Sequence, residues 1–183
     1  MAELLTGDAF RRLFDTFART TRRLETRDRY SSPVDDRTVQ QFLAGENLDL
    51  GWLAPWFDRV RAATAAGKRF ERVRVVTEPL SDYKRYEMVV CRHTVAAGED
   101  IRYLPRTRAR ELELPESDFW VFDSTTLALL HFTETDVFVG AELVHDPDQV
   151  NRHERWIDLA QQHSIPYAQY VERLPPRDRP GRA

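Results

Sequence analysis

The segment that most restricts the fold of this chain lies in its middle. Arg72-Val73-Arg74-Val75-Val76 has the β-branched density of a strand, and Pro79-Leu80-Ser81 opens a helix that runs to about His93. Gly98 closes that helix before a second strand, Asp100-Ile101-Arg102-Tyr103-Leu104. A strand, a helix and a strand in so short a stretch form a βαβ unit. Its two strands lie parallel, joined by a right-handed crossover, and a sheet with helices on its faces follows.

The remaining elements are read around this unit. Phe10, Leu13, Phe14 and Phe17 recur at helical spacing behind possible caps at Thr6 and Asp8, predicting an N-terminal helix with one aromatic face. Arg22 to Tyr30 alternates charged residues with Leu24, Thr26 and Tyr30, as in a half-exposed strand or extended segment ended by Ser31-Ser32-Pro33. A short helix over 38–43 stops at Gly45, and a longer one carrying Leu53, Trp56, Phe57 and Val60 ends near Gly67. Beyond the βαβ unit, a small helix over 107–112 precedes a strand over 118–123 that is apolar on both faces. Strands over 127–133 and 137–144 suit an antiparallel meander, and Pro147 opens a helix over 148–163. The expected architecture is α/β: a central mixed sheet with a parallel βαβ unit and flanking helices. It forms a single domain over 1–174, with a helical front end over 1–67, a sheet-containing part over 68–174 and a flexible tail over 175–183. Val73, Val75, Ile101, Trp120 and Phe122 are expected to share one sheet-centred core.

Composition excludes several classes. The 183 residues include four Trp and ten Phe, enough for a full core, and no apolar run reaches the ~18 residues of a membrane helix. Met1-Ala2-Glu3-Leu4-Leu5 lacks the regions of a signal peptide, so a cytoplasmic protein without membrane attachment is expected. The lone Cys91 lies in the apolar run Met88-Val89-Val90-Cys91 and reads as buried packing. Net charge is −3, but residues 68–110 carry eleven Lys or Arg against six acids, whereas 111–183 carry six against fourteen. An excess of five reads as a solvated basic face, too weak to imply direct nucleic-acid binding.

Motifs for chemistry are missing. His93, His131, His145, His153 and His163 include no pair at i, i+4 spacing, so neither a metal site nor a cofactor is expected. Ser81, Ser117 and Ser124 sit in no Gly-x-Ser-x-Gly elbow, and seven isolated glycines build no phosphate loop. The candidate ligand or partner site gathers Glu78, Ser81, Asp82, Tyr83 and Arg85 at the carboxyl end of the first βαβ strand, where open α/β sheets bind ligands. Asp118 and Asp123, which bracket the next strand, complete it. Each has a plainer reading: a helix cap with an Arg85–Glu87 surface network, and a turn at Asp123-Ser124-Thr125. Trp120 and Phe122 read as core aromatics.

Arg74-Val75-Val76, Pro79-Leu80-Ser81-Asp82-Tyr83, Ala97-Gly98-Glu99-Asp100-Ile101-Arg102 and Asp118-Phe119-Trp120-Val121-Phe122-Asp123 together resemble an actinobacterial domain-of-unknown-function family. Its members are often encoded beside helix-turn-helix regulators. That resemblance implies a partner protein, with a transcription regulator the expected one. The strand order ending in Asp123 is similar to one half of a phospholipase D-like domain, whose active members carry His-x-Lys before this strand; here Glu116 and Asp118 stand in that region. The resemblance therefore implies lost chemistry. The expected function is a non-catalytic regulatory or protein-interaction domain, with a phosphodiesterase or nuclease-like enzyme as the alternative.

Overall fold

A computed structural model describes residues 4–179. In chain order the elements are α1 (Gly7–Arg11), α2 (Leu13–Thr16), β1 (Thr20–Glu25), α3 (Pro33–Leu43), a 3-10 turn (Gly51–Leu53), α4 (Ala54–Ala65), β2 (Arg69–Val76), α5 (Asp82–Ala96) and β3 (Asp100–Pro105). They continue with α6 (Arg106–Glu111), β4 (Phe119–Phe122), β5 (Thr126–Phe132), β6 (Phe138–Val144), α7 (Pro147–His163), β7 (Ile165–Pro166), α8 (Tyr167–Arg173) and a second 3-10 turn (Pro176–Asp178).

Seven strands form one mixed sheet in the order β6-β5-β4-β1-β2-β3-β7. β2, α5 and β3 make the expected parallel βαβ unit, and β4, β5 and β6 make the expected antiparallel meander. β1 is the surprise. It runs parallel to β2 and antiparallel to β4 at the centre of the sheet, so the helical front end also supplies a central strand. Its charged alternation suggested half exposure, yet Thr21, Arg22, Leu24 and Glu25 are all buried. Both faces of β1 are covered, and the charged residues are neutralised by one another instead of by water.

The N-terminal aromatic helix is broken at Arg12 into α1 and α2, though Phe14 and Phe17 are buried as expected. Ser32 accepts the Asp35 amide and Pro33 sits in the first turn, so Ser31-Ser32-Pro33 starts α3 where the sequence suggested only the end of a strand. Residues 165–173 add β7 and α8, Leu174 and Asp178 are buried, and Arg179 donates to the Leu174 carbonyl. Residues 180–183 lie outside the described part.

Strand alternation divides the core in two. Leu24, Val73, Val75, Leu104, Phe119 and Val121 face α7 and α6, where Val150, Ile157 and Ala160 pack on them. On the opposite face, Phe70, Trp120 and Phe122 meet Phe14, Phe17, Phe57 and Val60, while Ile101 and Tyr103 meet Met88, Cys91 and Tyr170. The five residues expected in one core are thus all buried but lie on two sides of the sheet. The parity of β2 separates Val73 and Val75 from the face that carries Trp120 and Phe122.

Candidate functional site

The register of the three central strands creates an unusual patch. Trp120 of β4 is paired with Arg23 of β1, Arg23 with Arg72 of β2, and Glu25 with Arg74. All five side chains therefore stand on one face of the sheet, toward the carboxyl ends of the parallel strands β1 and β2. A charge taken from water into a protein interior is costly unless it is paired, so a patch of this kind must be internally compensated. It is. Arg72 donates to Glu25 at 2.8 Å and to Glu99 at 2.7 Å, Arg23 donates to Asp118 at 2.8 Å, and Lys84 of α5 donates to Glu87 at 2.7 Å. Arg74 lies 3.2 Å from Glu25 and 3.7 Å from Glu87.

Glu25 is the hub. Burial alone would push its carboxyl up, but Arg74, Arg23, Arg72 and Lys84 outweigh that and hold it well below the ordinary carboxylate range. Burial likewise works against the charge on Arg23 and Arg74, and the neighbouring acids more than restore it. Glu25, Arg23 and Arg74 are thus held in their charged forms. Aromatic faces complete the pairing of the cations: Arg23 lies over Tyr30 and Trp120, Arg72 over Trp56 and Trp120, and Lys84 over Tyr30 and Tyr83.

Above this floor opens a cleft of about 350 Å³. Tyr83 and Tyr86 of α5 form one wall, with their hydroxyls donating to Asp35 at 2.8 Å each. Desolvation raises the Asp35 carboxyl above its usual value, against these two hydrogen bonds. Phe132 and Phe138 form the opposite wall. A β-bulge between β5 and β6 pairs His131 with Gly140 and then Phe132 with Phe138, leaving Val139 as the extra residue. That extra residue resets the alternation of β6 and turns Phe138 into the cleft. Trp52 stands at the mouth, 39% exposed, with its indole N–H donated to Thr38 at 3.2 Å.

Few of the residues singled out from sequence meet here. Tyr83 lines the cleft, and Asp118 reaches it indirectly, accepting from Arg23, from the Thr26 amide and hydroxyl, and from the Tyr30 hydroxyl. Ser81 caps α5 through the Lys84 amide, Asp82 pairs with Arg85 on the surface, and Glu78 accepts from the Tyr170 hydroxyl of α8. Asp123 is fully engaged elsewhere, accepting the amides of Ala18, Arg19 and Thr20 at 2.6, 2.7 and 2.9 Å. The expected Arg85–Glu87 surface network does not form, because Glu87 turns inward to Lys84 and Arg74. The basic face expected over 68–110 is likewise drawn inward at Arg72, Arg74 and Lys84, all buried.

Sequence reasoning missed Arg23, Glu25, Arg72, Arg74, Lys84 and Trp52, and it placed Glu87 on the surface. The signal was the alternation Arg72-Val73-Arg74-Val75: in a strand covered on both faces, one parity must bury its arginines. A second depression, of about 710 Å³, surrounds Arg22, Arg19 and Arg69. It is larger but offers less, since Arg22 already donates to Glu71, Glu154, Asp158 and Gln161 and aromatic walls are lacking.

Chemical groups suited to catalysis are dispersed. His93 stacks on Phe57, His131 lies 3.4 Å from Glu142 on the outer strands, and His145 contacts Thr126. His153 is packed edge-on against Phe119 and Trp156. Burial pushes the Cys91 thiol up to about 12. Among the described residues, no group of three or more His, Cys, Asp or Glu is placed to hold a metal ion, and no helix is long and apolar enough to cross a membrane.

The family model described as "Domain of unknown function (DUF6879)" matches residues 8–172, from within α1 to within α8. The chain belongs to this family. The DUF6879 match includes all the charged and aromatic residues that build the cleft, so the cleft lies within the family's own domain. No curated protein matches the sequence.

Proposed function

We propose that this DUF6879 domain is a non-catalytic regulatory module that binds a small molecule in the cleft and passes its occupancy to a protein partner. The observation that carries the reading is the cleft itself: aromatic walls over a floor of fixed, mutually compensated charges on rigid central strands. Such a floor orients a ligand without reorganising, and rigid strands hold it in place. Among the described residues, no histidine or cysteine lines the cleft. Ser31 donates to Asp36 and Ser32 caps α3, so both serine hydroxyls in the cleft serve the fold.

Communication with a partner is supported by the rim. Trp52 and Phe138 line the cleft and are also exposed, and Val137 and Val139 flank Phe138 in the sequence with 43% and 45% exposure. Apolar side chains at a cleft mouth can be rearranged by a ligand and read by another protein. A transcription regulator is the partner class we favour, on the family resemblance of the sequence.

The test is retention. Purified protein is incubated with a deproteinised cell extract, desalted and weighed by native mass spectrometry. The expected result is a bound small-molecule mass on the wild type that is lost from Trp52→Ala, a surface-rim change that leaves the core intact. Equal occupancy in both proteins, or none in the wild type, would reject the reading.

A further inference from the structure

Among the described residues, every exposed large hydrophobic side chain falls in two short segments. Val34, Leu43 and Trp52 belong to α3 and the 3-10 turn after it, and Val137, Phe138 and Val139 lie at the start of β6. The two segments are neighbours. Ser31, just before α3, bridges to Val137, and Val34 lies one turn before Thr38, whose hydroxyl accepts the Trp52 indole N–H. Exposed apolar side chains scattered singly over a surface are ordinary, but a set gathered on the rim of one cleft marks a contact site.

The partner meets side chains there and not main chain. β6 is an edge strand of the sheet, and an open edge can take on a further strand. This chain itself occupies that edge on either side of the patch: the Ser31 amide donates to the Asp136 carbonyl, and Leu5 exchanges two hydrogen bonds with Ala141. An amphipathic helix, which lays its apolar face against a groove, suits what is left.

The charge around the patch sets the sign of that helix. Residues 27–53 and 133–142 carry eight Asp or Glu against three Arg, and α1 and α2, which adjoin the patch through the Phe10–Phe138 contact, are neutral over 7–16. Two of the three arginines are engaged within the rim, Arg27 with Asp136 and Arg29 with Asp36. Glu46, Asp49 and Glu134 are exposed, and none forms an ion pair among the described residues. An acidic border repels nucleic acid and an anionic membrane, and a second copy docked by the same face sets acid against acid. It attracts a partner whose apolar face is flanked by Lys or Arg.

We propose that the rim of the cleft is the docking surface for a cationic amphipathic helix of a partner protein, with its apolar face on Trp52, Val137, Phe138 and Val139 and its basic residues toward Glu46, Asp49 and Glu134. The inference rests on the reading of the rim as the partner surface and adds the chemistry of the partner. Trp52 and Phe138 belong to the cleft and to the rim at once, so the docked helix touches side chains that a ligand in the cleft also touches.

The experiment measures fluorescence anisotropy of a labelled synthetic helix of about four turns, with Leu at i, i+3, i+4 and i+7 and Lys or Arg elsewhere, titrated with the full chain. Two control peptides carry the same Leu pattern with Glu in place of the basic residues, or the same composition scrambled. Saturable binding of the cationic helix is expected, at least tenfold tighter than either control and weaker as salt rises. Glu46→Lys, Asp49→Asn and Glu134→Lys together should weaken it at least tenfold, and so should Val137→Ser with Val139→Ser. Glu111→Lys, Asp148→Asn and Glu172→Lys together make the same charge change away from the rim and should leave binding within twofold. Thermal melts show that each variant is folded; should the charge variant fail to fold, the valine pair decides, and the reverse. Equal binding of the acidic or scrambled peptide would overturn the inference, as would equal weakening by the distant charge changes. Binding to phosphatidylserine vesicles that the rim variants abolish would assign the surface to a lipid. Self-association in sedimentation that Val137→Ser with Val139→Ser abolishes would assign it to a second copy; either result overturns the helix. No peptide binding while the extract still yields a retained mass overturns this inference and spares the cleft; peptide binding with no retained mass supports it and rejects the small-molecule reading alone.

Discussion

Asp123 shows how much a single side chain contributes to the sheet. Its φ of 52° places it in the left-handed region, in the turn between β4 and β5, and its carboxylate gathers three amides at the start of β1. Burial opposes the charge, but the amides of Ala18, Thr20 and Arg19 prevail and hold the carboxyl below its ordinary value. A lowered folded-state pKa means that the stabilisation is complete above the ordinary carboxylate range and is lost as pH falls through the depressed value. Asp123→Ala is expected to cost about 1 kcal/mol at neutral pH, a figure kept small because the group is partly exposed. Urea unfolding of wild type and variant at descending pH should show the difference shrinking as pH falls below the ordinary carboxylate range. In sequence, Asp123-Ser124-Thr125 announced the turn. It could not announce the three distant amides, because Ala18 to Thr20 lie a hundred residues away and nothing local links them.

At the scale of elements, the parallel unit was legible because β-branched density, Pro79 and Gly98 are all local signals. The place of β1 was not. Arg22-Arg23-Leu24-Glu25 looks half-exposed when read alone, and only its neighbours make it central: Phe119 to Phe122 on one side and Arg69 to Arg74 on the other. The cleft was hidden for the same reason, since its floor is a register and not a motif. The network across that register makes a sharp prediction. Arg72→Met leaves Glu25 and Glu99 short of a buried partner and should cost about 3 to 5 kcal/mol. Adding Glu99→Leu removes one orphaned charge, while Glu25 keeps Arg23, Arg74 and Lys84. The double variant should therefore be more stable than the single one, which denaturant titration of the two proteins will measure. A double variant weaker than Arg72→Met alone would mean that Glu99 is held by something other than Arg72.

For the whole molecule, the sheet is a single surface covered on both faces: α7 and α6 seal the side of Leu24, Val73 and Val121, while α1 to α5 and α8 cover the side that carries the Arg23–Glu25–Arg72–Arg74 patch. The cleft is a gap in that second layer, bounded by α3, α5 and the β5–β6 hairpin. Contacts between Arg27 and Asp136 and between the Ser31 amide and the Asp136 carbonyl tie the loop before α3 to that hairpin, so the two sides of the mouth are joined across the rim.

The central position of β1 also bears on how the chain is made. β1 leaves the ribosome early, yet its parallel partner β2 follows some fifty residues later and its antiparallel partner β4 later still, around Trp120. Until both arrive, Arg23 and Glu25 remain hydrated and the strand has nothing to pair with; a sheet built on distant pairings must wait for them. Nascent chains arrested with residues up to 112 outside the exit tunnel should be digested readily by protease, whereas chains arrested with residues up to 145 outside should show protected fragments containing β1. β1 thus gains its place only when β4 arrives, after β2 and β3 have been made, and its charged residues stay hydrated while it waits.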